Sequence, residues 1–220
     1  MRNDEDIKTD IVDELYWDTR IDASKVAVTV DDGVVTLSGE VPTYWDRSTA
    51  RMAAWAIADV IDVFDDMTVS YVAPPPLPSD SEIRTRAIDM LTWDPAIDES
   101  DITVSVIGGV ITLEGTVNAH WKRSFVENKM GGIRGVISVE NKLAVVPTKT
   151  IRDELIAENV VAALDRDIQV DARDVEVEVD DGIVKLSGNV PRWAARLAAG
   201  DDASRTGGVI NVVNELKVAA

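Results

Sequence analysis

Apolar residues follow two periods along the chain, and the same succession of periods is met three times. Ile7, Ile11 and Leu15 recur every four residues with acids between them, as do Ile83, Ala87 and Leu91, and then Val160 and Leu164. That spacing predicts a helix with one apolar stripe. Strict alternation follows. Val26, Val28 and Val30 are apolar while Lys25, Thr29 and Asp31 intervene, which predicts a strand with one buried face. Asp32-Gly33, Gly108-Gly109 and Asp181-Gly182 come next, and such dipeptides supply the positive φ of a tight hairpin turn. Val35, Leu37 and Gly39 continue into a second strand. An Ala-rich helix over roughly 43–58, with Ala50, Ala54 and Ile57 on one face, leads to a third strand at 62–72, 138–146 and 211–218.

The periodicity is an internal repeat. VTVDDGVVTLSGEV at 28–41 returns as VSVIGGVITLEGTV at 104–117 and VEVDDGIVKLSGNV at 177–190, with offsets of 76 and 73 residues. At those offsets Gly39, Gly115 and Gly188 coincide, as do Arg47, Arg123 and Arg196. The fold class is therefore α+β: three tandem αββαβ domains, each a three-stranded sheet with two helices on one face. Domain one spans 1–73, a Pro-rich linker 74–79, domain two 80–147 and domain three 148–220. Pro74, Pro75, Pro76 and Pro78 predict an extended spacer. Domain one should then move relative to a closer pair formed by domains two and three. Glycine inside a strand needs a packing reason, so a helix or a partner backbone is expected close to Gly39, Gly115 and Gly188.

Composition narrows the chemistry. The chain of 220 residues has no Cys and one His, which excludes a disulfide framework, thiolate metal sites and multi-histidine sites. No cofactor, metal site or catalytic residue is expected, and the chain reads as a non-enzyme. A net charge of −18 argues against nucleic acid as a partner. No run approaches the roughly 18 apolar residues of a spanning helix. The opening MRNDEDIKTD lacks the basic and apolar regions of a secretory signal. A cytoplasmic location is expected, or a periplasmic one if a leader has been removed.

Charge is uneven between the repeats. Residues 1–73 hold 6 basic and 16 acidic side chains, 74–147 hold 7 and 10, and 148–220 hold 9 and 14. The middle domain is the least acidic. Its second helix opens on His120, Trp121, Lys122 and Arg123, with Lys129 further along. An indole beside cations suits a phospholipid surface, the ring at headgroup level and the cations on phosphates. These five residues are the candidate lipid contacts, with Tyr44-Trp45 and Arg192-Trp193 as their counterparts. Trp17 and Trp93, at equivalent places near the end of the first helix, read as core or interdomain residues. Asp31-Asp32 and Asp62, Asp65 and Asp66 are acid clusters, but none has the spacing of a calcium loop.

The motif V-x-V-x-x-G-x-V-x-L-x-G-x-V, followed by a helix with an Arg and then by G-V-x-x-V-x-N-x-L-x-V, resembles the BON family (bacterial OsmY and nodulation domain). Gly135 to Leu143 and Gly208 to Leu216 fit the closing motif, whereas domain one has Asp59 at the Gly position and Asp65 at the Asn position. A weakened helix-to-strand corner is expected there. The resemblance implies no catalysis. It implies a multi-domain binding protein of bacterial stress response or envelope maintenance, engaging phospholipid or protein surfaces. A potassium- or divalent-cation-responsive sensor and a chaperone-like or scaffold protein are the alternatives.

Overall fold

The computed structural model describes residues 2–71 and 77–218. Domain one runs α1 (Asp4–Trp17), β1 (Val26–Asp31), β2 (Val34–Val41), α2 (Tyr44–Ala56) and β3 (Asp62–Val69). Domain two repeats it as α3 (Asp80–Thr92), β4 (Ile102–Ile107), β5 (Val110–Val117), α4 (His120–Gly131) and β6 (Ser138–Val145). Domain three has α5 (Asp153–Arg166), β7 (Val175–Asp180), β8 (Ile183–Val190) and α6 (Trp193–Arg205). Its last strand is split into β9 (Asn211–Asn214) and β10 (Lys217–Val218). In each sheet the second strand is central, antiparallel to the first and parallel to the third. A parallel neighbour cannot be reached by a tight turn, and the second helix is the crossover that reaches it.

Each domain has its own core on the helix-covered face. Ile7, Ile11 and Leu15 of α1 meet Val28, Val35 and Leu37 of the sheet and Ala50, Ala53 and Ala54 of α2. The small alanines bring the second helix close to the strands. Domain three repeats this with Ala195, Ala199 and Ala203.

The hairpin turns carry positive φ at both central residues, 48° and 76° at Asp32 and Gly33, 58° and 78° at Gly108 and Gly109, and 47° and 74° at Asp181 and Gly182. Two consecutive residues in that region aim their N–H groups the same way and make an anion seat. An aspartate from the start of each first helix fills it. Asp80 accepts from Gly108 N at 2.7 Å and Gly109 N at 2.9 Å; Asp4 and Asp153 do the same in their domains.

Gly115 pairs with Ile102, at φ 118°, and a Cβ there would overlap the Asp101 carbonyl oxygen. Gly39 and Gly188 stand in the same relation to Lys25 and Asp174. The close approach expected at these glycines is present, made by the backbone just ahead of the first strand rather than by a helix. In domain one Asp59 keeps the corner by adopting φ 68°. Aspartate tolerates this region better than most residues. Asp65 cannot donate as Asn141 does to the Arg123 carbonyl at 2.9 Å, so Arg47 turns in and pairs with its carboxylate at 3.0 Å.

Two expectations are corrected. Trp17 and Trp93 are 75% and 85% exposed, neither core nor interdomain. Each follows the last buried position, Leu15 or Leu91, by two residues, which is about 200° around a helix. Domain one does not stand apart. Trp55 of α2 stacks on Trp193 of α6 with centroids 3.5 Å apart, and the Tyr44 hydroxyl lies 3.5 Å from Glu127 of α4. Residues 72–76 of the proline spacer lie outside the described residues.

Candidate functional site

The second helix of domain two presents two different faces. Trp121, Phe125 and Lys129 follow one another every four residues, so they line up along α4. The Trp121 and Phe125 rings meet edge to face at 5.4 Å, and the Lys129 ammonium lies 5.0 Å from the Phe125 centroid. Lys129 also bridges to Asp94 at 2.6 Å, which pulls the Asp94 carboxyl below its usual range. Asp94 directly follows the exposed Trp93. Lys122 sits 5.7 Å from the Trp121 centroid. Asp94, Lys129, Phe125, Trp121 and Lys122 therefore form one continuous strip of rings and charged groups, with the exposed Trp93 next to Asp94 in the chain. A strip of rings interleaved with ammonium groups offers apolar surface and positive charge side by side.

His120 is turned the other way, toward domain three, with the Arg123 charge near it. His120 is half-buried and hydrogen-bonds Asn211 at the start of β9. Burial, seconded by the Arg123 charge, lowers the His120 pKa from its ordinary value. The His120 Nδ1 and Arg123 Nε atoms are buried without a hydrogen-bond partner. Of the five candidate lipid contacts, then, the fold brings Trp121, Lys122 and Lys129 onto one face and puts His120 and Arg123 in a domain seam. Asp94 and Trp93 were not singled out with this cluster in the sequence, because they lie on another helix end more than 25 residues earlier.

Trp45 occupies the repeat position of Trp121. It is half exposed and lines a cleft of about 790 Å³ between domains one and two. Tyr71, Lys25 and the buried Asp46 join it from domain one, and Gly132 and Arg134 from domain two. Asp46 accepts from the Asp22 N–H at 2.9 Å and from the Thr43 hydroxyl, so it pins the loop ahead of β1 to the start of α2. The matching groove of domain two, lined by Lys122, Ile97 and Val117, is about 230 Å³. Domain three has Ala194 where the others have tryptophan.

Two of the clustered acids are engaged within the fold, Asp62 by the Val63 N–H and Asp65 more fully. Asp65 takes Arg47 and the Met67 N–H. Among the described residues, Asp153, Asp180 and Asp181 form the one group of three carboxylates whose oxygens lie within 4.8 Å of one another. Both Asp153 oxygens there already accept turn N–H groups at 2.9 Å. The recurrence of this helix-start aspartate at offsets of 76 and 73 residues was the signal that could have revealed the clamp. No helix among the described residues is long and apolar enough to cross a membrane.

Three small sheets, each roofed by two helices and joined helix to helix, define a tandem-module protein whose surfaces, rather than one central pocket, carry its distinctive chemistry. The BON domain model matches residues 3–71, 79–147 and 152–220, and the chain belongs to that family. It is 33% identical over 144 residues to the osmotically-inducible protein Y of Escherichia coli (strain K12), covering 63% of this chain and 72% of that one. Among solved structures it is similar to CdsD, a structural protein of the type III secretion system of Chlamydia trachomatis, at 14% identity and a TM-score of 0.27 over 97% of this chain and 92% of that chain. The C-terminal domain of the same protein matches at 15% identity and a TM-score of 0.26, with both chains fully covered. So slight an overlap carries no argument.

Proposed function

We propose that this chain is a non-enzymatic, multi-domain binding protein of the bacterial osmotic-stress or envelope-maintenance type, and that it engages phospholipid surfaces. The observation that carries this reading is the set of three BON domains, related to a protein named for osmotic induction. The strip on domain two supports the lipid surface. Trp121 supplies the apolar part and Lys122 the cation, with Lys129 held by Asp94 beside them, on the domain with the smallest excess of acid. Near an anionic bilayer each cation contributes on the order of 1 kcal/mol, and the effect fades within a Debye length. Lys122, with Lys129 already paired to Asp94, is a small pull against a net charge of −18, so binding is weak and salt-sensitive.

Co-sedimentation with vesicles of phosphatidylglycerol and phosphatidylethanolamine at low salt tests it, with wild type compared against Trp121→Ala combined with Lys122→Glu. The expected result is pelleting of wild type that salt abolishes and the double variant lacks. Equal pelleting of both proteins removes this site while keeping the lipid surface, and no pelleting by wild type removes the lipid and leaves a protein surface as the partner. The expected location, cytoplasm or periplasm, is checked by fractionating cells that carry the native gene.

A further inference from the structure

The three second helices meet by their ends, and they do so in one rotational sense. Tyr44, His120 and Trp193 are the first residues of α2, α4 and α6, and they share one position of the repeat. Tyr44 of domain one lies on domain two: its hydroxyl faces Glu127, and a Cβ on Gly131, the last residue of α4, would overlap its ring. Trp193 of domain three lies on domain one, stacked on Trp55 with an interplanar angle of 8°. Trp55 and Gly131 again share one repeat position. His120 of domain two reaches domain three at Asn211, the first residue of β9. Arg196 bonds the Asn214 carbonyl of its own domain at 3.1 Å and lies in the field of Asp62, the first residue of β3 in domain one. Domain one therefore seats on two, two on three, and three on one.

We propose that the first turn of the second helix is a domain-docking surface whose partner is another domain of the same kind, met at its second helix or at the start of its third strand, and that in this chain three such surfaces saturate one another in a closed ring whose seam between domains two and three opens on acidification. The inference goes beyond the lipid reading and does not depend on it. Every docking side chain finds a seat within the chain, so three domains close where two would leave one knob and one seat unmatched.

The seams differ in their chemistry. The Tyr44 seam and the Trp193 seam are made by rings that carry no charge between pH 5 and 8. The His120 seam holds the chain's one histidine against a guanidinium. Among the described residues, no carboxylate acts on the imidazole to receive a second positive charge. On α6, Arg196 bonds the Asn214 carbonyl at 3.1 Å, Asp201 is tied to Arg205 at 2.7 Å, and Asp202 sits by Asp167 and Arg166. On β9 the facing residue is the neutral Asn211. On α4 itself, Lys122 lies on Trp121, Lys129 on Asp94, and Glu127 bonds Asn141 at 3.1 Å. Arg123 is the one charge whose field bears on the imidazole.

The direction of the effect follows from proton binding. A histidine released to water takes up a proton near pH 6.5, whereas the seam holds its pKa lower. Below about pH 6.5 the open form binds a proton that the closed form resists, so the closed form loses ground as pH falls. At neutral pH and above the histidine is neutral in both forms and the seam stays shut.

The chain has no cysteine, so pairs of spin labels can be placed at will. Thr29, Ser105 and Glu178 are exposed and occupy one repeat position at the middle of each first strand. Double Cys variants at 29/105, 105/178 and 29/178 should each give one narrow distance distribution at pH 8. At pH 5 the narrow 105/178 distance should be lost, while 29/105 and 29/178 keep theirs and the helical circular dichroism is unchanged. His120→Tyr, which copies the residue of domain one, should hold the 105/178 distance at pH 5. Trp193→Ala should release 29/178 at both pH values. Broad distributions for all three pairs at pH 8 overturn the ring. A 105/178 distance indifferent to pH, a response that survives His120→Tyr, or loss of helical signal at the same pH overturns the acid-labile seam.

Discussion

At the scale of single residues, this protein is organised by groups that satisfy backbone atoms. The aspartate at the start of each first helix is one. Both oxygens of Asp80 accept hairpin N–H groups that face the same way. Hydrogen bonds to an ionised acceptor contribute about 1.5–3 kcal/mol each at most. Asp80→Ala is expected to lower stability by about 2 kcal/mol and Asp80→Asn by less, since one acceptor oxygen remains; urea unfolding measures both. The strand glycines are the other group. Gly115→Val meets a backbone angle that Val resists and the carbonyl of Asp101 together. Strain and overpacking each cost about 1–3 kcal/mol, so a loss of about 3 kcal/mol is expected from the same measurement. The need for glycine at 115 was readable from its place inside a strand motif, but the atom that requires it was not. That atom belongs to the stretch between α3 and β4, whose path no periodicity describes.

At the scale of elements, helix and strand periods placed almost every segment, because burial of one face is a local demand. Ile83, Ala87 and Leu91 are buried as their spacing required. The same geometry, applied two residues further, sends Trp93 to solvent, and reading an aromatic residue as core overrode it. Leu91→Ala should therefore cost about 2–5 kcal/mol, while Trp93→Ser should change stability by no more than about 0.5 kcal/mol. Thermal unfolding of the two variants distinguishes them. An outcome in which Trp93→Ser is the more damaging would return that indole to the core. The last strand of domain three shows the limit of pattern at this scale. The sequence predicts one strand through 211–218, yet it is divided at Glu215-Leu216, although the Glu215 N–H still bonds the Leu186 carbonyl at 2.8 Å.

At the scale of the whole molecule, the second helices decide the arrangement. Each packs on its own sheet, with alanines in α2 and α6 and with Val126 and Met130 in α4, and reaches a neighbouring domain with its first turn. This division explains why α4 can carry both a domain seam, at His120 and Arg123, and an outward strip, at Trp121, Lys122, Phe125 and Lys129. Trp193 lies between Trp55 and the Arg196 guanidinium, which is 4.6 Å from its centroid. Trp193→Ala should therefore change the tryptophan emission of the folded protein and loosen domain three from domain one, while the separate domain cores persist. A single cooperative unfolding transition, shifted but undivided in that variant, would show that the three cores do not stand separately.

The amino-acid sequence by itself determined the repeat, the αββαβ order, the turn chemistry and the buried positions of each core. Those features follow from periods of two and about 3.6 residues and from the backbone freedom of glycine, all of which act within a few residues. Tertiary structure alone decided which flank of α4 is free, that Trp17 and Trp93 face solvent, and that domain one docks on both its neighbours. These outcomes depend on contacts between repeats, and the residues that make them, Tyr44, His120 and Trp193, share a position but not a chemistry. A repeat pattern marks what its copies have in common; the seams are built from what they do not.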